Sequence, residues 1–172
     1  LFKGHLYSIT MDRVRLRTKF NRSLYNLSKV FWFSLEPETA HNAALKIGRF
    51  LSSRKMSKKP LRSLFHYSHP VLEQKILGIQ FKNPIGLAAG FDKNADLIDV
   101  ISNVGFGFIE VGSITAKPCK GNSGQRLKRI KEKESLWVNL GLNNEGVKEI
   151  KKKLIGKKFD IPVGISIAKT NC

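Results

Sequence analysis

The sequence is short of cysteine, of long apolar runs and of acidic residues, and each shortage excludes something. Two cysteines, Cys119 and Cys172, are too few for a disulfide framework, and no metal-type spacing occurs. A reducing compartment is the simplest reading. The histidines, His5, His41, His66 and His69, follow no ligand spacing. No apolar run approaches the roughly 18 residues needed to span a bilayer. The first residues are charged, without the apolar block of a secretory leader. Only 13 Asp and Glu stand against 31 Lys and Arg, a formal net charge of +18. The excess is uneven. Residues 1–70 hold 14 basic and 3 acidic side chains, whereas residues 71–172 hold 17 and 10. A basic arm on a milder body suits an anionic partner, phospholipid or nucleic acid. Nucleic-acid binding calls for basic side chains interleaved with reading elements. No such motif is visible, so no nucleic acid is expected.

What is present reads as an ordered α/β chain. Leu24, Leu27 and Phe31, with Tyr25, Val30, Trp32 and Phe33 beside them, predict a short aromatic helix over 22–33. Leu35-Glu36-Pro37-Glu38 reads as a helix start, because proline is tolerated at the first helical position and acids suit the positive end. Ala40, Ala44, Ile47 and Leu51 then recur at helical spacing, giving a second helix over 37–52 and a basic linker over 54–62. The two helices either pack on their own domain or, with one apolar, aromatic side and one basic side, form a hairpin lying on a membrane surface. Lys75–Lys82 alternates around Gly78 as a small hairpin. Ile85–Ala89, Phe108–Gly112 and Ile161–Ala168 read as three buried strands, with a helix over 94–104 whose inner face is Leu97, Ile98 and Ile101. A polar hairpin over 126–139 and a helix capped by Asn143 complete the pattern.

Strands alternating with helices at this spacing indicate parallel β/α units. A (β/α)8 TIM barrel needs eight units and about 250 residues. The expected fold is therefore the N-terminal part of such a barrel, about three β/α units, preceded by a small helical hairpin. The expected division is a basic extension over 1–70 and a partial barrel over 71–172. A partial barrel is expected to be inactive and poorly folded by itself.

In such a fold the strand C-termini build the site. The first strand delivers Ala88, Ala89, Gly90 and then Lys93. The second delivers Gly112, Ser113 and Thr115, and the third Ser166, Ala168, Lys169 and Asn171. The loop after the polar hairpin delivers Asn139 and Asn143. Small residues at a strand end let a flat group approach the backbone, and a lysine there can face an anion. The set lacks a histidine–carboxylate pair, a metal cluster and a glycine-rich phosphate loop. It suits a planar heteroaromatic cofactor that carries the difficult chemistry.

The stretch Asn83-Pro84-Ile85-Gly86-Leu87-Ala88-Ala89-Gly90-Phe91-Asp92-Lys93-Asn94 resembles the first-strand signature of the dihydroorotate dehydrogenase family. So does Gly105-Phe106-Gly107-Phe108-Ile109-Glu110-Val111-Gly112-Ser113-Ile114-Thr115, followed by Lys117-Pro118 and Gly121-Asn122. Leu35-Glu36-Pro37-Glu38-Thr39-Ala40-His41 resembles the helix of its quinone-dependent class. The resemblance implies an FMN enzyme of de novo pyrimidine (UMP) synthesis that oxidises dihydroorotate to orotate and passes electrons to a membrane quinone. It implies FMN contacts at Ala89, Gly90, Lys93 and Ser113, and a substrate carboxylate at Lys93. It implies that the N-terminal helices form the quinone entrance on an anionic membrane, with the protein peripheral on the cytoplasmic face.

Three departures accompany it. The family's substrate loop reads Asn-Arg-x-Gly-Phe-Asn, whereas this chain has Val138-Asn139-Leu140-Gly141-Leu142-Asn143. Aligned on the glycine, the first asparagine is displaced by one position, while Asn143 matches. The loop Asn139, Leu140, Gly141, Leu142 and Asn143 is carried over as the substrate loop. Ser166 stands where the family has an FMN-contacting asparagine, and is carried over as a hydroxyl in its place. The family's serine base and phosphate loops lie on later segments, so no catalytic residue is assigned within these residues. The alternatives are a soluble acceptor, fumarate or NAD, or a non-enzymatic basic protein binding membrane or RNA.

Overall fold

The computed structural model describes residues 2–54, 56 and 58–170, with side chains at 12, 14–54, 56 and 58–170. It divides into two compact units, Leu1–Ala40 and His41–Cys172. Helix α1 is Phe2–Ser34, so the short helix expected over 22–33 is corrected: it runs on toward the N-terminus. No proline occurs before Pro37, and Gly4 is the one glycine in this span, so nothing breaks the helix. Leu16, Phe20, Leu24, Leu27 and Phe31 form an exposed stripe at three- and four-residue spacing. Arg15, Lys19, Arg22 and Lys29 are exposed on the same helix.

Helix α2, Pro37–Ser52, starts where the sequence places it. Glu36 supplies the cap, its Oε2 accepting the N–H groups of Glu38 at 2.9 Å and Thr39 at 3.0 Å. The stretch read as a basic linker contains the start of α3, Lys58–Phe65. Pro60 lies in its first turn, where no intrahelical N–H is required.

Strands β1, Gln74–Ile76, and β2, Ile79–Phe81, form the expected antiparallel hairpin. Strand β3 is Gly86–Leu87, helix α4 is Ile98–Ile101 and strand β4 is Phe108–Ile114. Strands β5, Leu127–Ile130, and β6, Ser135–Val138, are the second hairpin, also as expected. Helix α5, Val147–Leu154, leads to β7, Val163–Ile167. The three remaining strands form one parallel sheet in the order β3-β4-β7.

Strand β4 is paired on both sides and carries the centre of the core, with Ile109 and Val111 buried. Leu97, Ile98, Ile101, Ile150 and Ile161 close over it as one cluster. Each such side chain contributes roughly 1.5–3 kcal/mol by leaving water. Strands β3 and β7, expected to be buried, are buried only in part, with Leu87 and Val163 packed against the core. Each pairs on one side among the described residues, and Ile85, Ile165 and Ile167 are exposed.

The helix expected over 94–104 is reduced to α4, because the preceding residues are wound into a turn. The buried Asp92 carboxylate accepts the N–H groups of Asp96 at 2.9 Å and Leu97 at 2.8 Å. Asn143 does not cap α5. The cap is Gly146, whose N–H is received by the buried Asn144 side chain at 2.8 Å.

Candidate functional site

Parallel strands present their C-terminal ends on one edge of the sheet, and here that edge is built by a backbone turn. Gly90 donates its N–H to the Gly112 carbonyl at 2.8 Å, and Gly112 returns its own to the Asp92 carbonyl at 3.1 Å. Gly90 has φ +108, which only glycine adopts freely, and no atom lies within 4 Å of where a Cβ would sit. The turn thus leaves an open backbone face beside the half-buried Ala89. From the neighbouring strands, the Ser113 and Ser166 hydroxyls meet at 2.8 Å.

Asp92 and Lys93, adjacent in sequence, have opposite fates. Asp92 is buried beneath the turn. Burial pushes its carboxyl pKa up, and the Leu97 and Asp96 N–H groups offset part of that. Lys93 faces the site and donates from Nζ to the Gly141 carbonyl at 2.6 Å. Burial pushes its pKa down, and the Arg126 charge acts in the same direction. A negative ligand at this point would relieve both.

The loop 139–143 is fixed from below by a loop that sequence reasoning did not assign to the site. Asn122 donates its amide to Asn139 Oδ1 at 2.7 Å and its N–H to the Leu140 carbonyl at 3.2 Å. Gly121 makes this approach possible, since a Cβ there would overlap the Leu140 oxygen. The Asn139 N–H reaches the Arg126 carbonyl at 2.7 Å, and the Leu142 carbonyl receives Asn144 Nδ2 at 2.6 Å. The half-buried Asn143 amide makes no hydrogen bond among the described residues. The sequence signal for Asn122 was its place in the Gly121-Asn122 pair of the family-like motif, and for Arg126 its nearness to the hairpin that carries the loop.

Thr115 serves the framework rather than the open face. It is buried, its hydroxyl donates to the Lys117 carbonyl at 2.6 Å, and Asn144 Nδ2 donates to that hydroxyl at 2.9 Å. Lys169 is exposed, and Asn171 lies outside the described residues. Cys119 is buried, and Cys172 lies outside the described residues. Among the described residues no helix is long and apolar enough to cross a membrane, and no group of His, Cys, Asp or Glu could hold a metal ion.

A parallel α/β sheet whose C-terminal edge carries an open glycine turn, paired hydroxyls and a half-buried lysine is an α/β unit with a candidate ligand site at that edge. Residues 71–172 match the family model described as dihydroorotate dehydrogenase. Among curated relatives, the dihydroorotate dehydrogenase (quinone) of Shewanella denitrificans is 40% identical over 146 residues, 85% of this chain and 42% of that protein. That of Gloeobacter violaceus is 38% identical over 147 residues, 86% and 41% of the two chains. The ligand-free crystal structure of DHODH from Eimeria tenella aligns with a TM-score of 0.66 at 28% identity, covering 80% of this chain and 38% of that one. The same protein in complex with ferulenol gives 0.62 at 30% identity, covering 78% and 36%. The chain belongs to the dihydroorotate dehydrogenase family. It spans about two-fifths of the length of the curated relatives it matches.

Proposed function

We propose that the protein oxidises dihydroorotate to orotate with FMN and a quinone acceptor, in pyrimidine (UMP) biosynthesis, these residues forming the first part of its (β/α)8 barrel. Strands β3, β4 and β7 are the barrel strands in this reading, with a basic extension over 1–70 and the barrel part over 71–172. The observation that carries it is the Lys93–Gly141 hydrogen bond, which joins the strand-end lysine to the loop 139–143.

The open face over Gly90 fits a flat ring, since a side chain at that position would occupy the space. Ala89 and Gly90 would lie against FMN, with Lys93 and the Ser113 and Ser166 hydroxyls at its polar edge. When bound, FMN supplies the acceptor for the hydride that leaves the substrate. Lys93 holds the substrate carboxylate, and the loop Asn139, Leu140, Gly141, Leu142 and Asn143 holds its ring. Asn143 brings an amide that makes no hydrogen bond among the described residues, whereas Asn139 is held by Asn122. The proton-accepting serine is expected on a segment outside these residues.

The exposed apolar stripe of α1, set among arginines and lysines, supports docking on an anionic membrane surface where quinone is reached. The protein is then cytoplasmic and peripheral on the inner face of the membrane. The decisive experiment uses full-length protein. Dihydroorotate oxidation with a quinone, but not with fumarate or NAD, is expected, as is anionic-vesicle binding that is lost on removing residues 1–52. Turnover with fumarate or NAD alone would move the assignment to the soluble-acceptor class. Salt-sensitive RNA binding without flavin affinity would overturn it.

A further inference from the structure

A chain of charges lies behind the site, and nothing in the proposed chemistry uses it. Asp96 follows the Lys93 turn and is largely buried. Its Oδ2 accepts Arg49 of α2 through Nε at 2.8 Å and Nη2 at 2.7 Å. Its Oδ1 accepts Lys153 of α5 at 2.8 Å. Lys153 also reaches Glu145 Oε2 at 2.7 Å and the Asn94 carbonyl at 3.3 Å. Asn94 Oδ1 in turn receives the Glu145 N–H at 2.9 Å. Lys153 therefore bridges the two segments that carry the site, the 93–96 turn and the loop that runs through 141–145.

Its neighbours Lys151 and Lys152 are exposed, whereas the Lys153 side chain is only 29% exposed. Burial alone would lower its pKa. The hydrogen bonds and charges of Asp96 and Glu145 outweigh that and hold the ammonium charged. A lysine paired twice at this depth adds little net stability, because desolvation offsets much of the attraction.

We propose that Lys153 is a positioning residue: with Asp96 and Glu145 it clasps the Lys93 turn to the Gly141 loop and so sets the spacing at which a carboxylate ligand is bound. Arg49 extends the clasp to α2. The proposal rests on the reading of Lys93 as the carboxylate-binding residue.

The test compares wild type, Lys153→Met and Glu145→Gln in the full-length protein. It reads amide hydrogen exchange at Glu145, orotate affinity, kcat and KM for dihydroorotate, and thermal unfolding. Lys153→Met is expected to speed exchange at Glu145 about tenfold and to raise the orotate Kd and the KM about five- to twentyfold, with kcat changing less. Exchange and affinity both within about twofold of wild type would overturn the proposal. Faster exchange with unchanged affinity would leave a structural brace only, and would overturn the positioning role as well. If Lys153→Met fails to fold, Glu145→Gln is judged by the same outcomes, since it cuts one arm and leaves the Asp96 pair. A wild type that does not bind orotate counts against the functional reading, while exchange at Glu145 still decides whether the clasp exists.

Discussion

Lys93 donates to the Gly141 carbonyl at 2.6 Å across 48 residues of chain. The bond joins two separate loops, and it occupies a lysine that burial and Arg126 both disfavour as a cation. A charged group held at some cost, with a neutral carbonyl as its hydrogen-bond acceptor, is poised to gain from an anion.

Replacing Lys93 removes a charge-assisted bond worth about 1.5–3 kcal/mol, so Lys93→Met in the full-length protein is expected to weaken orotate binding roughly 10- to 100-fold. Titration by fluorescence quenching checks this. Lys93→Arg is expected to recover little, because the guanidinium fork does not fit a position shaped for a point charge.

The lowered Lys93 pKa gives a signed pH dependence. Between that value and the ordinary 10.5, the unfolded chain holds a proton that the folded chain has released. Folding stability contributed by this group therefore rises with pH across the window. Orotate affinity moves the other way, because the cation is lost. Denaturant unfolding and orotate titration from neutral pH to 10.5, in wild type and Lys93→Met, separate the two. The variant should lose the contribution of this group to both trends.

Gly90→Val is expected to cost about 1–3 kcal/mol for a β-branched residue at positive φ, and to place a side chain on the open face. Flavin content of the purified full-length variant should fall while its far-UV circular dichroism stays native. A variant that keeps full flavin content would show that the cofactor lies elsewhere.

Asn144→Ala is expected to destabilise by about 2–4 kcal/mol, since it strips partners from the buried Gly146 N–H, the Leu142 carbonyl and the Thr115 hydroxyl at once. Ser113→Ala, which removes one exchangeable hydroxyl contact, should cost no more than about 1.5 kcal/mol. Parallel urea titrations distinguish them.

Features that depend on near neighbours were legible in the residues. Pro37 after Glu36 marked the start of α2, and alternation around Gly78 marked the β1–β2 hairpin. The small residues ending in Gly90 marked an open turn. The length of α1 was not legible, because its exposed apolar stripe is diluted by arginine and lysine and gives a weak period. The burial of β3 and β7 was misjudged for a related reason. An apolar run announces a strand, but pairing on both sides, which covers it, depends on other parts of the chain.

By itself, then, the sequence determined the local elements, the basic surplus and the residue types gathered at the strand ends. Tertiary structure decided which member of each neighbouring set does what. Of Asp92 and Lys93, the turn buries the carboxylate under the Asp96 and Leu97 N–H groups and leaves the lysine facing Gly141. Of Asn143 and Asn144, contact with Thr115 buries the second and leaves the first amide without a hydrogen bond among the described residues. Of Lys151, Lys152 and Lys153, the 100° step of the helix turns the third toward Asp96 and Glu145. Adjacent residues of similar chemistry are nearly equivalent as a string. They become distinct when the backbone points them in different directions and one direction holds a partner.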